Sequence, residues 1–522
     1  MPIEADINAK LAKLKAEALA QQAQDAKDAA AAKKKEEKKT PNDPSIGRGN
    51  YEEITYNHAF YKGIGVQNPT LAFVWVVLPN ILDGTETETQ LIDKLKTLSK
   101  DPAQGAEKQE NLYTLPQNLI NFRLERFLYG VGTFTLQLYD NNFTDIEEKL
   151  IKHKGLIGFQ YGYTANRSEA SPWHVGFLTS YSVQFRLEGT YITIHGISMG
   201  WSVNTVKEAL PYNDVNSMAE TSSTLSDFVD KMAQKHGFTT PESRVIETTL
   251  TVMSRGVGLK DNQKWNMEFN ALTKDSFFEH IITTIIPYAI NKDNQGGYVF
   301  YVEPTKKNGA VFHFHTINYK IPSQKDKPIK LFTQFKSPNT VVRSFNPSWA
   351  TAIRQLRDSG KVAGIGVDPI NKLVLSKEVS IKQAQTHMIG GSRNTIIALP
   401  GENSGATTSV LFPGPTQSAM EAHLNTKLHT ASLQAIEATL EIQGTPDIEM
   451  LETVAVHVYI PKGPHKINKV TGNSQVHWIS GEFKVKRIID EIANGDFKTT
   501  LELITGGREI FFDSPVGKDQ KG

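Results

Sequence analysis

The chain has 522 residues, 39% hydrophobic and 22% charged, a balance normal for a soluble globular protein of about three to four domains. Its 57 Lys and Arg against 56 Asp and Glu leave a formal net charge of +1, which lacks the basic surplus of a dedicated nucleic-acid binder. Cysteine is absent, so disulfides, thiolate metal sites and a cysteine nucleophile are excluded. No apolar run approaches the ~18 residues of a membrane helix. The first residues lack an apolar signal-peptide core, and folding in a reducing cytoplasm is the expectation.

Residues 1–46 are rich in Ala, Lys, Glu and Gln. Ile7, Leu11, Leu14 and Ala18 share a helical stripe, but beyond Leu19 the apolar residues are only alanine. A helical or disordered N-terminal extension is expected, with Lys33–Lys39 as a solvated helix face because Glu36 and Glu37 interrupt it. Pro41, Pro44 and Gly47 break the pattern. A first β-module is expected over 47–205, with a strand-like run at Thr70–Leu78. A polar insertion spans 83–117, and Thr89–Leu98 is its one helical piece. From Leu119 the strand signal is clear. Phe134, Leu136 and Leu138 alternate with Thr135, Gln137 and Tyr139, and Asp140–Asn142 supplies a turn. Thr144 with Glu147 makes a capping box, opening a helix with Ile146, Leu150 and Ile151 inward. Strands are expected at Ile157–Tyr163, Val175–Phe185 and Tyr191–Ile197, with Glu188-Gly189 as a tight turn. Short strands at this spacing suggest a barrel or sandwich.

Residues 206–330 read as a mixed α/β domain. Leu225, Phe228, Val229, Met232 and Ala233 line one face of a helix at Ser226–His236, which Gly237 stops. A second helix is expected at Asp275–Ile286, then strands at Tyr298–Val302 and Ala310–Thr316. Residues 331–357 and 416–505 are assigned to a second β-module. Thr340–Phe345 is its first strand, and a helix runs through Met420, Leu424 and Leu428. Its strands at Ala438–Gln443, Thr453–Ile460, Gly481–Ile489 and Phe497–Ile504 alternate cleanly. Residues 358–415 are rich in Gly, Ser, Asn and Pro and read as a long connection with one strand, Lys372–Leu375; 506–522 is a polar tail. The two stretches 119–202 and 432–505 thus carry the same pattern of short alternating strands with one amphipathic helix.

No P-loop, G-x-S-x-G, H-E-x-x-H or strand-flanked G-x-G-x-x-G is present. His313 and His315 share one face of a strand and could hold a metal together, but no third ligand is near in sequence. Packing or solvation is the expected role, and no stoichiometric metal is expected. His423 and His429 lie on different helix faces. Glu147 and Glu148 serve capping and solvation, and Asp227 complements a helix dipole. Trp173-His174 at a strand entrance could touch a ligand, although packing or a subunit contact is favoured. No catalytic, cofactor-binding or metal residue is assigned.

Residues Leu440–Ile448, with Gly444-Thr445-Pro446 after a strand, resemble a signature of the baseplate central hub proteins of contractile-tail bacteriophages. That family is shared with the N-terminal part of secretion-system spike proteins. Phe483–Ile488 and Gly495–Leu503 resemble its closing hairpin, and Leu225–Phe238 is similar to its middle-domain helix. Thr135–Asp140, Gly158–Gly162 and Trp173–Gly176 fit its first barrel. The resemblance covers about residues 119–320 and 415–506. It departs at the N-terminal extension, the 83–117 insertion and the 358–415 connection.

The resemblance implies an α+β, β-dominated fold: two tube-protein-like β-barrels joined by a mixed α/β middle domain. It implies a non-enzymatic structural virion protein, a homotrimeric hub in the tail baseplate, assembled in the host cytoplasm. Such a hub adapts a threefold spike to a sixfold tube and forms part of a channel for tape measure protein and DNA, without specific DNA binding. Implied partners are the central spike protein, the tail tube or tube-initiator protein, the tape measure protein and baseplate wedge proteins. The alternatives are a tail-delivered cell-wall hydrolase or a tail-tip receptor-binding protein.

Overall fold

The structure, a computed structural model, describes residues 51–56, 72–77, 90–93, 112–114, 119–141, 156–163, 170–200, 224–249, 277–292, 296–305, 309–317, 328–336 and 339–349. It further describes 361–367, 374–380, 408–411, 436–459 and 480–505, and single positions at 203, 222, 424 and 426. The expected N-terminal extension, the helix from Thr144, His423 and His429, and the 506–522 tail lie outside the described residues, as do Glu147 and Glu148.

The fold is β-dominated. In chain order the first strands are β1 (Tyr51–Glu53), β2 (Ala72–Val77), β3 (Leu112–Thr114), β4 (Leu119–Phe127), β5 (Thr133–Asp140), β6 (Leu156–Tyr163), β7 (His174–Arg186) and β8 (Gly189–Ile197). The middle contributes helix α1 (Leu225–Lys235), β9 (Arg244–Ile246), α2 (Phe277–His280), β10 (Tyr298–Thr305) and β11 (Gly309–Thr316). Then follow β12 (Ile329–Gln334), β13 (Val342–Trp349), β14 (Lys361–Val367), β15 (Val374–Ser380) and β16 (Thr408–Leu411). The last are β17 (Ile436–Gln443), β18 (Thr453–Val458), β19 (Gly481–Ala493) and β20 (Asp496–Thr505).

Fourteen strands belong to one sheet. One half runs β4-β5-β8-β7-β6-β2-β3; the other runs β13-β17-β20-β19-β18-β12-β1; β4 on β19 joins them. Five strands of each half repeat residue by residue. In the β7–β8 hairpin Phe177 pairs with Ile197, Leu178 with Gly196, Ser180 with His195 and Arg186 with Gly189. In β19–β20 Lys484 pairs with Ile504, Val485 with Leu503, Arg487 with Glu502 and Ala493 with Asp496. The displacement in sequence is constant, and each long strand carries its irregularity after its fifth residue, between Leu178 and Ser180 and between Val485 and Arg487. The start of each long strand takes the same kind of neighbour: Leu156–Phe159 of β6 pairs with Phe177–His174, and Thr453–Val456 of β18 with Lys484–Gly481. At the other side β4 shifts register between Leu119 and Asn121, and β13 between Val342 and Ser344. The two outermost strands break the repeat, since β2 joins β6 antiparallel whereas β12 joins β18 parallel.

Alternation explains why these segments are strands. In β20, Phe497, Thr499, Leu501 and Leu503 are buried while Lys498, Thr500 and Glu502 are half-buried. One apolar core spans both halves, from Phe122, Phe134 and Phe159 to Leu440, Phe483, Ile492 and Leu501. A second core fills the middle, where α1 packs Leu225, Phe228, Val229, Met232 and Ala233 with Phe300, Phe312 and Phe314 of the β10-β11-β9 sheet. Thr224 caps α1 by accepting from the Asp227 N–H at 3.1 Å, and Gly237 at φ 98° ends it.

Four observations add to those expectations. The first module was to start at residue 47, yet β1 pairs parallel with Ile329–Leu331 in the other half, and its Tyr51 hydroxyl donates to Glu482 at 2.5 Å. Within the polar insertion 83–117, Leu112–Thr114 forms β3 on β2, and Leu91 and Ile92 are buried in the middle core. Within the 358–415 connection, β15-β14-β16 form a small separate sheet. Gly, Asn and Pro there lower strand propensity, but ladder hydrogen bonds do not require large side chains. The expected helix 275–286 is also divided: α2 passes into a π-turn at Ile281–Ile285 and a 3-10 turn at Ile286–Tyr288. Pro287 has no N–H to continue an α-ladder.

Phe134 lies across Gly176 and Gly196. A Cβ at position 196 would meet the Phe134 ring at 2.3 Å and the Phe177 carbonyl oxygen at 2.6 Å. Gly196→Ala is therefore expected to cost about 1–3 kcal/mol by overpacking. A urea midpoint unchanged from wild type would contradict this close approach.

Candidate functional site: the junction between the two halves

The internal junction is seven antiparallel pairs, from Arg487 with Phe127 to Ala493 with Asn121. Every second residue faces the core. Ile488, Asp490 and Ile492 are at most 1% exposed, and their partners Arg126, Leu124 and Phe122 are buried too. On the outer face Arg487 bridges Glu125 at 2.8 Å and Glu502 at 2.7 Å, and Lys498 reaches Glu491 at 3.3 Å. These half-buried surface pairs are screened by solvent and contribute modestly.

Behind this ladder lies a buried polar cluster. Arg126 donates through Nη1 to Glu303 Oε1 and through Nη2 to Asp490 Oδ2, both at 3.1 Å. Asp490 Oδ2 also accepts from the Tyr161 hydroxyl at 2.6 Å, and Oδ1 from Thr499 Oγ1 at 2.7 Å. The Met450 N–H donates to Glu303 Oε1 at 3.0 Å. The cluster thus ties β4 and β6 of one half to β19 and β20 of the other, and both to β10 of the middle domain. Burial raises the Asp490 carboxyl above its ordinary range, with Arg126 opposing. Burial pushes Glu303 up to about 7, again against Arg126.

The histidines and tryptophan singled out from sequence have packing roles. His174 is fully buried, stacks on Phe159 at 5.1 Å, and has no hydrogen-bond partner on either ring nitrogen. Burial and then nearby Arg126 hold it well below the usual histidine range, so it is neutral. Trp173 is buried in the middle core. His313 stacks flat on Tyr301 at 4.4 Å, and burial drives its pKa down to about 3. His315 Nδ1 lies 2.8 Å from its neighbour's carbonyl, Thr316 O, and burial lowers its pKa as well. Among the described residues no group of three or more His, Asp or Glu could hold a metal ion, and no helix there is long and apolar enough to cross a membrane. Asp227 sits in the first turn of α1, where its carboxylate complements the helix dipole.

Arg126, Glu303 and Asp490 escaped the sequence reading because 177 and 364 positions separate the partners. The available signal was a single acid at an inward position between Ile488 and Ile492, and a single base beyond Phe122 and Leu124.

A different condition holds on β7. Its first residues pair with β6, but Ser180–Arg186 pair only with β8 among the described residues. Tyr181 and Phe185 on this stretch are 40% and 66% exposed. On the opposite margin β13 pairs only with β17 among the described residues.

Removing the cation leaves two buried carboxyl groups uncompensated, so Arg126→Met is expected to lower unfolding free energy by about 3–5 kcal/mol. A urea denaturation showing a loss below about 1 kcal/mol would contradict the buried pairing. Glu303 binds its proton more tightly folded than unfolded, so its contribution is full below about pH 4.5 and declines as pH rises through about 7. Relative to Glu303→Gln, the wild type should therefore lose stability between pH 5 and pH 8, measured as the difference in urea midpoints. A difference independent of pH would rule the shift out.

No protein-family model matches this chain, and no curated protein matches it. Solved structures similar to it include a tail protein from Neisseria meningitidis MC58, at 12% identity, covering 76% of this chain and 93% of that one, with a TM-score of 0.42. The 43 kDa tail protein of prophage MuSo2 from Shewanella oneidensis shares 12% identity over 76% of this chain and 96% of its own, at a TM-score of 0.43. An Escherichia coli component of the type VI secretion system, described as structurally similar to T4 bacteriophage tail proteins gp27 and gp5, shares 8% identity over 76% of this chain and 77% of its own, at 0.38.

Proposed function

We propose that this chain is a structural tail protein without enzymatic activity, acting as a trimeric baseplate hub. One observation carries the reading: five strands with the same partners and the same two irregularities occur twice in one chain, and the copies are already joined edge to edge. A unit that pairs with its own likeness inside a chain can repeat that contact between chains. Three chains then present six similar units around one axis. The resemblance at Leu440–Ile448 and Gly495–Leu503 supports a ring at the junction between a threefold spike and a sixfold tube. The spike, the tube or its initiator, the tape measure protein and the wedge proteins are its partners, in the virion tail baseplate. The near-neutral charge suits a conduit, because a strongly basic lining would hold a passing polyanion.

Mass photometry at micromolar concentration is expected to show a trimer, and a stable monomer, with or without a spike partner, would overturn the reading. Deleting residues 1–40 should leave the trimer intact, since the first of the repeated strands begins at Leu119. Loss of the trimer in that variant would show that the N-terminal segment assembles the ring.

A further inference from the structure

We propose that neighbouring copies join by an antiparallel ladder between Tyr181–Arg186 of β7 in one copy and Ser344–Trp349 of β13 in the next. The inference rests on the trimeric reading for its partner, a second copy of this chain. The surface and its register come from the internal junction.

The register repeat makes each residue of the open edges the counterpart of one at the closed junction. Ser180 paired with His195 stands where Arg487 pairs with Glu502, so Tyr181, Val183 and Phe185 stand where Ile488, Asp490 and Ile492 stand. Those three are buried under β4, whereas Tyr181 and Phe185 are exposed. Likewise Ser344, following the register shift opposite Glu441, stands where Asn121 follows the shift opposite Gln137. Phe345, Pro347 and Trp349 therefore hold the positions of Phe122, Leu124 and Arg126. Half of the closed junction is thus present on each open margin of the same chain.

Laying one edge on the other in the internal register pairs Tyr181 with Trp349, Ser182 with Ser348, Val183 with Pro347, Gln184 with Asn346, Phe185 with Phe345 and Arg186 with Ser344. Phe185 meets Phe345 on the inward face, and hydroxyl and amide meet their like on the outward face, pairs that stabilise antiparallel strands. The counterparts of the Arg126–Asp490 ion pair are Trp349 and Val183, so the external ladder buries no charge. This separates the two contacts. In this register β7 places no acid opposite Arg126, and β13 places Pro347 rather than a base opposite Asp490, so neither edge can displace the internal partner without leaving a buried charge unpaired.

Pro347 fits the assignment. Gln443 N–H donates to Val341 O; alternation along β17 from that bond makes Thr439 and Glu437, opposite Asn346 and Ser348, the bonded positions, and past the register shift at Val342–Ser344 the nitrogens of Phe345 and Pro347 turn toward the open edge. Proline there leaves the β17 ladder whole and removes one donor from the external one.

The native chain has no cysteine, so engineered pairs report without background. On the internal junction Leu128 N–H donates to Lys486 O, which makes Arg123–Glu491 a pair without mutual backbone bonds. Gln184–Asn346 is its counterpart, and such close pairs suit a disulfide. Under mild oxidation the Gln184→Cys/Asn346→Cys variant is expected to form covalent two- and three-chain species and none larger. Each single variant alone should stay uncrosslinked on a denaturing gel, while a mixture of the two should give a covalent dimer. The off-register pair Gln184→Cys/Ser348→Cys should crosslink at least about tenfold less. A second variant, Phe185→Asp, changes an exposed side chain and should dissociate the trimer while leaving the folded monomer's circular dichroism unchanged. A trimer that persists in solution but yields no more in-register than off-register crosslink overturns the ladder and leaves the hub reading standing. A wild-type monomer overturns both.

Discussion

The guanidinium of Arg126 lies where three parts of the chain meet, and the rest of the assembly of strands depends on its having both acids within reach. Asp490 is fully buried on β19 and Glu303 on β10, 3.1 Å from the two Nη atoms. A buried ion pair is weak evidence for stability, because desolvation offsets most of the attraction. Its effect is choice of partner. A β19 edge covered by any strand lacking a base would bury Asp490 uncompensated, so β4 is selected over other edges. Tyr161 and Thr499 donate to Asp490 Oδ2 and Oδ1 as well and hold its carboxylate in one orientation.

From that choice follows the geometry of the repeated unit. A thirteen-residue strand with an irregularity after its fifth residue serves two neighbours in succession, β18 and then β4. The same strand design in the other half, β7, has only the first of its neighbours among the described residues. Exposed aromatics on an unpaired edge are an aggregation hazard for an isolated chain. Their presence at Tyr181 and Phe185 is reconciled with solubility if the edge is covered in the functional state, and the proline on the complementary edge limits pairing of the wrong kind.

What could be read from the residues followed the physics of local order. Period-two alternation exposed the strands at Phe134–Tyr139 and Phe497–Leu503, since half-buried strands must alternate. Thr224, the apolar stripe and Gly237 bounded α1 because capping is a local bond. Pairing partners were not legible. Nothing near Tyr51 announces that it joins Ile329, and nothing near Arg126 announces Asp490, since each contact forms only after long loops close. The β14–β16 sheet was hidden by glycine and serine, which signal turns even where a ladder forms. The candidate junction was therefore invisible as a site, although its repeated halves were visible as a pattern.

The parallel contact of β1 with β12, and of β12 with β18, imposes an order on biosynthesis. Tyr51–Glu53 leave the ribosome long before Ile329–Leu331, and β12 itself must wait for Thr453–Val458. The earliest described strand is therefore among the last to be seated. The half that closes on it cannot mature during translation, and folding dominated by such distant contacts is slow. A nascent chain of this design spends its synthesis with one sheet margin unfinished.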